Sequence, residues 1–309
     1  MNAQLQQWKS QGHYFEYLGH KVFYRDDGSA EKPCVICIHG FPTSSWDWHH
    51  IWPELSEHYR LIALDQLGFG FSDKPKQGEY SVMAQADLVE ALLQSLGVVE
   101  YHVIAHDFGT LVAQELLDRG NHPEQTNTKG SAPYLLSLFA MSGSIFPELS
   151  NPRLIQKLLI SRVGFLISLM FNQKKFDRSM LRVFSQTSKS QLTEIGIRQL
   201  LNSYWQLLAL QHGNKQLHQL NFFLKDRQIH GERWARAWQE SDVPIRYVVG
   251  EADPMYGKDV FKRLQGLSRT QDLHSILDVG HFPQIESPRQ VIGLLRGFLP
   301  SSESTEGLT

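Results

Sequence analysis

One segment, HVIAHDFG at residues 102–109, restricts the fold of this chain more than any other feature. It begins as an apolar strand pattern, places Asp107 at a turn and continues into a helix pattern. Ala105 and Gly109 lie two residues before and two residues after the aspartate, where a sharp turn tolerates only small side chains. The pattern predicts that Asp107 is presented as a nucleophile at a strand–turn–helix elbow. The alternative is an aspartate that only caps the following helix.

Short apolar runs alternate with helix patterns on both sides of this elbow. The expected strands are residues 22–25, 34–38, 61–64, 102–105, 135–141, 245–249 and 273–277. The expected helices are residues 83–96, 111–117, 258–267 and 288–298. Such alternation is typical of an α/β fold with a mainly parallel central sheet and helices on both faces.

The alternation is interrupted from residue 145 to residue 240, where helical periodicity continues without a convincing strand. We therefore expect an α/β core formed by residues 1–144 and 241–300, with residues 145–240 inserted as an all-helical unit. The polar tail at residues 301–309 is expected to be disordered.

Composition argues against several other classes of protein. Hydrophobic residues make up 41% of the 309 residues, which is enough for a sizeable core, and the formal net charge of −2 argues against a nucleic-acid partner. The apolar stretch at 158–171 is too short and too polar to span a bilayer, so we expect no membrane anchor. Residues 1–12 lack the apolar run of a signal peptide, which favours a cytoplasmic location. The oligomeric state stays open.

Metal and cofactor sites are not expected. Cys34 and Cys37 have C-x-x-C spacing, but they lie in the apolar run CVICI, and no second pair completes a zinc site. We interpret them as buried strand thiols on opposite faces of a sheet. No cluster has metal-ligand spacing, and no glycine-rich phosphate loop follows the first strand. The expected partner is a small, apolar organic substrate.

Two further polar residues follow predicted strands in the second half of the chain. Asp253 lies in GEADP at residues 250–254, and His281 begins HFP after Gly280. Each alone is usually a turn residue, but nucleophile, acid and histidine in this chain order are typical of an α/β-hydrolase. We predict that Asp107, Asp253 and His281 form an Asp–His–Asp catalytic triad.

The segment HGFP at residues 39–42 follows the predicted strand at 34–38. This is where the fold places one backbone donor of an oxyanion hole, and the residue after the nucleophile supplies the other. We predict that the backbone N–H groups of Phe41 and Phe108 form this hole. The alternative is an ordinary Gly-Pro turn.

An aspartate nucleophile narrows the reaction. A carboxylate that attacks saturated carbon gives an ester that water can hydrolyse, whereas a serine would leave an inert ether. Asp107 therefore predicts a cofactor-free hydrolase that opens epoxides or alkyl halides through a covalent alkyl-enzyme ester. His281 would activate water against that ester, and Asp253 would orient His281.

Four segments resemble the epoxide hydrolase and haloalkane dehalogenase branch of the α/β-hydrolase superfamily. They are HGFP at 39–42, DQLGFGFSDKP at 65–75, HDFG at 106–109 and GHFP at 280–283. The resemblance extends over nearly the whole chain. It implies an α/β-hydrolase fold in which the helical insertion at 145–240 is a cap over the active site.

At some positions this chain differs from the residues that are typical of the family, and these differences bear on which of the two activities is expected. Dehalogenases of the branch usually carry Trp after the nucleophile and often Asn after the His-Gly pair, where this chain has Phe108 and Phe41. Phenylalanine offers no side-chain donor to a halide, which disfavours dehalogenation unless Trp205 or Trp234 substitutes.

Epoxide hydrolases usually carry two cap tyrosines that protonate the epoxide oxygen, and the expected cap here contains Tyr204 alone. Candidates for a second donor are His212, His218 and His230. The residues considered for substrate binding are His39, His106, Tyr204 and Trp205, of which His106 is also placed to orient the elbow. Dehalogenation, lactone or ester hydrolysis, and non-catalytic ligand binding stay open as alternatives to an epoxide hydrolase-like function.

Overall fold

The computed structural model describes residues 1–122, 133–143, 145–149, 152–185, 187, 194–267 and 272–300. The tail at residues 301–309, for which disorder was expected, lies outside the described residues. Among the helices in these ranges, none is both long and apolar enough to cross a membrane.

An eight-stranded sheet forms the centre of the molecule. Its strands are β1 (His13–Tyr17), β2 (His20–Asp27), β3 (Cys34–Ile38), β4 (Arg60–Leu64), β5 (Glu100–His106), β6 (Tyr134–Met141), β7 (Ile245–Gly250) and β8 (Asp272–Ile276). They lie in the order β1-β2-β4-β3-β5-β6-β7-β8. β2 pairs antiparallel with β1 and β4, and all other neighbouring strands pair parallel. The predicted mainly parallel sheet is confirmed.

Helices cover the sheet and fill the insertion. The α-helices are α1 (Ala3–Ser10), α2 (Trp52–Ser56), α3 (Val82–Ser95), α4 (Phe108–Asn121), α5 (Leu154–Leu159), α6 (Gly164–Leu169), α7 (Gln173–Met180), α8 (Glu194–Ala209), α9 (Leu217–Leu220), α10 (Phe223–Glu240), α11 (Gly257–Gln265), α12 (Pro283–Glu286) and α13 (Pro288–Arg296). All residues of β3 are buried, as expected where both faces of a sheet are covered. Cys34 and Cys37 are free, buried thiols on this strand, which agrees with their interpretation.

The topology brings the predicted site segments to one edge of the sheet. β3, β5, β7 and β8 run parallel, so their carboxyl ends point the same way. The HGFP segment follows β3, Asp107 follows β5, Asp253 follows β7 and His281 follows β8. The carboxyl edge of such a sheet is where α/β proteins usually bind ligands.

The inserted segment, residues 145–240, contributes helices and no strand within the described ranges. Its last helix, α10, packs along α4 of the core. The indole nitrogen of Trp234 donates to Glu115 Oε2 at 2.6 Å, and Arg233 pairs with Glu115 and Asp118. The insertion is therefore anchored to the helix that follows Asp107.

The sequence patterns did not reveal two elements at the N-terminus, α1 and β1. The helix begins where the Asn2 side chain accepts a hydrogen bond from the Leu5 backbone N–H at 2.8 Å. Leu5 and Trp8 are its buried residues, and Trp8 packs edge-on against Trp46 and Trp52. Two apolar residues in a polar segment give no clear periodicity, which is why the pattern did not indicate a helix.

Candidate active site

Asp107 occupies the turn between β5 and α4 with backbone angles φ 49° and ψ −114°. A positive φ is strained for a residue with a side chain, and such strain is concentrated at functional sites. A Cβ on Gly109 would lie 2.2 Å from the Ile38 carbonyl oxygen, so the close approach of α4 to β3 requires glycine. The Asp107 side chain makes no cap hydrogen bond with α4, so the alternative of a simple helix cap has no support in the geometry.

His281 lies between two buried carboxylates. Its Nε2 is 3.6 Å from Asp107 Oδ1, and its Nδ1 is 3.0 Å from Asp253 Oδ2. The Asp253 side chain has 0% exposure, so its charge is not screened by solvent. The Nδ1 contact selects the ring tautomer and directs Nε2 toward Asp107. The fold thus brings together three residues that are distant in sequence.

The two carboxylates set the charge of His281. Burial opposes the charged ring, but the charge of Asp253 and the contacts with Asp107 and Asp253 raise the pKa of His281 to about 10. Burial likewise disfavours the charged form of Asp107, yet the contact with His281 and its charge outweigh burial and lower the pKa of that carboxyl. At neutral pH the resting site therefore holds an Asp107 carboxylate against a His281 imidazolium.

The loop after β3 supplies a backbone donor to Asp107. The Phe41 N–H donates to Asp107 Oδ2 at 3.0 Å. Phe108 is the first residue of α4, where a backbone N–H has no acceptor within the helix. A Cβ on Gly40 would lie 2.8 Å from Asp107 Cβ, so this loop needs glycine to approach the elbow. The positions of Phe41 and Phe108 suit a two-donor oxyanion hole.

His39 and His106 are fully buried and bond to backbone groups. His39 donates from Nδ1 to the Gly40 carbonyl at 2.8 Å and accepts at Nε2 from the Gln66 backbone N–H at 3.1 Å. His106 donates from Nε2 to the His281 carbonyl at 2.7 Å, and burial lowers its pKa to about 4. Neither ring, although both were considered for substrate binding, lines the cavity beside the elbow. Their bonds instead hold the HGFP loop and the loop that carries His281.

A cavity of about 80 Å³ adjoins Asp107 and His281. Loops of the core contribute Phe41, Pro42, Met255 and Phe282 to its wall. The inserted segment contributes Arg153, Ile155, Gln156, Leu159, Phe171, Phe176, Ser179, Met180, Val183 and Leu217. The insertion therefore provides most of a largely apolar wall. A space of this size accommodates a few water molecules or a small organic group.

Tyr204 and Trp205, which were considered as substrate contacts, do not line this cavity. The Tyr204 ring is buried and stacks on Phe282 at a centroid distance of 6.3 Å. Its hydroxyl interacts with the buried Asp47 carboxyl group and is not part of the cavity wall. Trp205 packs against Phe176 at 5.7 Å. Both rings therefore support wall residues from behind.

Other residues considered for the leaving group also lie away from the cavity wall: His212, His218, His230 and Trp234. The wall instead includes Arg153, Gln156 and Ser179, whose side chains offer hydrogen-bond donors. No sequence signal indicated these three, because the face that a helix turns toward the core depends on tertiary packing.

Comparison with known families assigns the fold. The family model for the alpha/beta hydrolase fold matches residues 33–288. The chain belongs to the α/β-hydrolase fold family. In α/β-hydrolases the nucleophile precedes the acid and the acid precedes the histidine, which is the order of Asp107, Asp253 and His281. The resemblance that the motifs indicated is confirmed.

This chain is similar to one protein by sequence and to two more distant proteins by structure. The mesoderm-specific transcript protein of Mus musculus is 35% identical over 312 residues, covering 97% of this chain and 89% of that protein. The haloalkane dehalogenase DbeA from Bradyrhizobium elkani superposes with a TM-score of 0.74 at 22% identity, over 93% of this chain and 98% of its own. The epoxide hydrolase CorEH superposes with a TM-score of 0.70 at 20% identity, over 93% of this chain and 97% of its own. Structures this distant in sequence establish the fold and leave the reaction open.

Proposed function

We propose that this α/β-hydrolase is a cofactor-free enzyme that opens its substrate at a saturated carbon through a covalent ester of Asp107, in the manner of an epoxide hydrolase. One observation carries this proposal: a carboxylate, in place of a hydroxyl, lies at the strained elbow between Phe41 N–H and His281 Nε2. A carboxylate is a competent nucleophile toward saturated carbon, and its alkyl ester remains hydrolysable.

In the first step, Asp107 Oδ1 attacks a ring carbon of the epoxide, and the carbon–oxygen bond of the ring breaks. Oδ1 is the oxygen without the Phe41 hydrogen bond; it faces His281 Nε2 at 3.6 Å and retains a lone pair for the attack. The alkoxide takes the proton of the His281 imidazolium. Esterification removes the Asp107 charge that helps to raise the pKa of His281, so this proton is released more readily as the ester forms.

In the second step, neutral His281 accepts a proton from a water molecule that attacks the ester carbonyl of Asp107. Asp253 holds the ring through Nδ1 and stabilises the imidazolium that forms again. Asp107 Oδ2 already lies 3.0 Å from Phe41 N, so it becomes the oxyanion at the backbone N–H groups of Phe41 and Phe108. The bond between the Asp107 carbonyl carbon and the substrate oxygen then breaks, the departing oxygen takes the His281 proton, and the new Asp107 carboxyl group returns a proton to His281. Release of the diol thus leaves the carboxylate and the imidazolium restored.

Residues 145–240 serve in this proposal as the cap of the active site. Their apolar side chains form most of the cavity wall, which keeps bulk water away from the reacting carboxylate. A small cavity with a largely apolar wall selects substrates whose non-reacting part is also small and apolar.

Dehalogenation has less support in the geometry. Phe41 and Phe108 offer no side-chain N–H to a departing halide. The Trp234 indole donates to Glu115 Oε2 at 2.6 Å, and Trp205 lies outside the cavity wall. Epoxides are therefore favoured over alkyl halides as substrates.

Trapping of the ester tests this function. His281→Gln removes the base of the second step, and solvent replaces the His281 proton in the first, so we expect the ester to form slowly and then persist. Incubation with a panel of epoxides should add one substrate mass to the peptide that contains Asp107, as measured by mass spectrometry. His281→Gln combined with Asp107→Asn is the matched control and should stay unlabelled. If no epoxide labels Asp107, the epoxide assignment is wrong.

A non-catalytic binding protein on the same fold is the alternative from a different class. Such a protein would bind its ligand with an affinity that Asp107→Ala leaves unchanged, and it would release no product. Turnover by the wild-type protein that disappears in Asp107→Ala would exclude this alternative.

A further inference from the structure

The cavity beside Asp107 has one permanent cation in its wall. Most of the described residues that line it are apolar, such as Leu159 and Phe176, and Arg153 is the single arginine or lysine among them. A guanidinium in an apolar wall is costly unless an anion or several acceptors compensate its charge. The partners of the Arg153 guanidinium within the protein therefore indicate whether a ligand could add hydrogen bonds to it.

Arg153 is half-buried, and in the part of the chain that the structure describes the negative charges of Asp253 and Asp107 act on it without a direct ion pair. Its Nη1 donates to the Ser179 carbonyl at 3.3 Å, and it forms no ion pair with a carboxylate in those ranges. By contrast, Arg60 donates twice to Asp26, at 3.0 and 2.6 Å. A guanidinium has five N–H donors, so most of those on Arg153 remain available to a ligand.

Two more arginines of the inserted segment add positive charge around the cavity. Arg182 is exposed, and it is close enough to Arg153 to act on its charge. Arg227 is 3% exposed, it bonds to the Tyr256 hydroxyl, and its Nη1 has no partner among the described residues. Together with Arg153, which interacts with the charges of Asp253 and Asp107, these two arginines make the surroundings of the cavity more favourable to an anionic group.

We propose that Arg153 binds a carboxylate of the substrate, so that the substrates of this site are short apolar epoxides with a carboxylate near the reacting carbon. This assignment rests on the alkyl-ester function proposed above. A guanidinium and a carboxylate form two parallel hydrogen bonds, which orient the ligand as well as bind it. Arg153 and Asp107 line the same cavity of about 80 Å³, so a ligand bound there can contact both.

Inert ligands test the anchor separately from the chemistry. Butanoate and butanamide share a carbon skeleton, and neither alkylates Asp107. We expect calorimetry on the wild-type protein to show butanoate binding about tenfold more tightly than butanamide, and Arg153→Gln to erase that preference. Arg162→Gln is the matched control, because Arg162 is an exposed residue of the insertion that does not line the cavity. It should retain the preference.

Reactive probes test the same preference in turnover. A short epoxycarboxylate and the primary amide of the same epoxyacid differ mainly in charge. Arg153→Gln should raise the KM for the carboxylate about ten- to hundredfold and leave its kcat nearly unchanged. The amide should be unaffected. Arg153→Lys keeps the positive charge but not the planar guanidinium that makes two parallel hydrogen bonds. Its KM for the carboxylate should therefore lie between those of the wild type and Arg153→Gln.

These outcomes separate the anchor from the alkyl-ester function. Equal binding of butanoate and butanamide, or a preference that survives Arg153→Gln, overturns the anchor even if epoxides label Asp107. An Arg153-dependent preference for butanoate supports the anchor even if no epoxide labels Asp107, and the alkyl-ester function then fails alone. A loss of kcat on both reactive probes in Arg153→Gln also overturns the anchor, since the guanidinium would then act on the leaving group.

Discussion

On the core side of the cavity, the polar groups of the candidate site are paired with one another: Asp107 with the Phe41 N–H, and His281 with Asp253. On the side of the inserted segment, the wall is apolar, and Arg153 has no carboxylate partner in the described ranges. The core therefore holds the proposed reacting groups in place before any substrate arrives. The insertion instead presents hydrogen-bond donors of Arg153 that a ligand can bind.

This difference assigns separate tasks to the two sides. Backbone strain at Asp107 and close contacts at Gly40 and Gly109 fix the position of the proposed nucleophile. Side chains from several short helices form the opposite wall, and they can change without moving the elbow. Substitutions on the core side should therefore alter rate constants, and substitutions on the insertion side should alter affinity or stability.

The largest effect is expected for Asp107→Asn on the core side. The neutral amide is a poor nucleophile, so turnover should fall by about 10⁴-fold or more. The fold should be retained, because the Asp107 side chain does not cap α4. Steady-state turnover of the best epoxide and circular dichroism measure the two effects. Asp278→Asn, at an exposed aspartate, is the control. Turnover close to that of the wild type would contradict the nucleophile assignment.

The next largest effect is expected for Asp253→Asn. An amide cannot stabilise the imidazolium and favours the wrong ring tautomer, so kcat should fall about 10³- to 10⁴-fold. Hydrolysis of the ester should slow more than its formation, and rapid-quench mass spectrometry should therefore detect ester on Asp107. A change confined to KM would show instead that Asp253 acts on binding.

On the insertion side, Phe176→Ala should reduce stability and spare the chemistry. Phe176 is 1% exposed and packs against Trp205, so its removal should cost about 3 to 5 kcal/mol of unfolding free energy. Urea unfolding measures this loss, and kcat per folded molecule should stay near the wild-type value. Phe165→Ala is the control, because that ring is 55% exposed. A large fall in kcat with unchanged stability would contradict the claim that the insertion side affects only affinity and stability.

His281 links stability to pH on the core side. Because its pKa is raised, the charged ring stabilises the folded state fully below the ordinary histidine value of about 6.5. This contribution is lost as the pH rises through about 10. The difference in unfolding free energy between wild type and His281→Gln should therefore shrink as the pH rises. Urea unfolding across this range measures it, with His212→Gln as the exposed control. A difference that is constant with pH would contradict the ion pair.

The smallest effect is expected for Tyr204→Phe. Its hydroxyl interacts with the buried Asp47 carboxyl group, and the ring does not line the cavity. Because this hydroxyl does not reach the cavity, its loss should change kcat and KM by less than about twofold. Steady-state kinetics on the best epoxide provides the measurement. A large loss of kcat would show that Tyr204 protonates the leaving oxygen, which would give the insertion a chemical task.

The core side could be predicted from sequence because its signals are local. Ala105 and Gly109 surround Asp107 at fixed spacing, and Asp253 and His281 follow apolar runs that become strands. Parallel pairing then brings strand ends together, which the chain order of α/β-hydrolases anticipates. Most predicted strands and helices lie within observed elements because their periodicity is also a local signal.

The insertion side could not be predicted in the same way. Arg153 looks like any other arginine of the segment until helices distant in sequence pack and place it beside Asp107. Family resemblance suggested Tyr204 and Trp205, and packing places both behind the wall. Amphipathic periodicity indicates that a helix has a buried face, but it does not indicate which buried side chains border a cavity.

A single turnover in water enriched in the heavy oxygen isotope most directly tests whether Asp107 bonds to the substrate. Excess wild-type protein consumes a smaller amount of epoxide, and mass spectrometry then measures the diol and the peptide that contains Asp107. An alkyl-ester mechanism predicts solvent oxygen in the Asp107 carboxylate and none in the diol. Solvent oxygen in the diol with Asp107 unlabelled would contradict the account, because water would then have attacked the substrate directly.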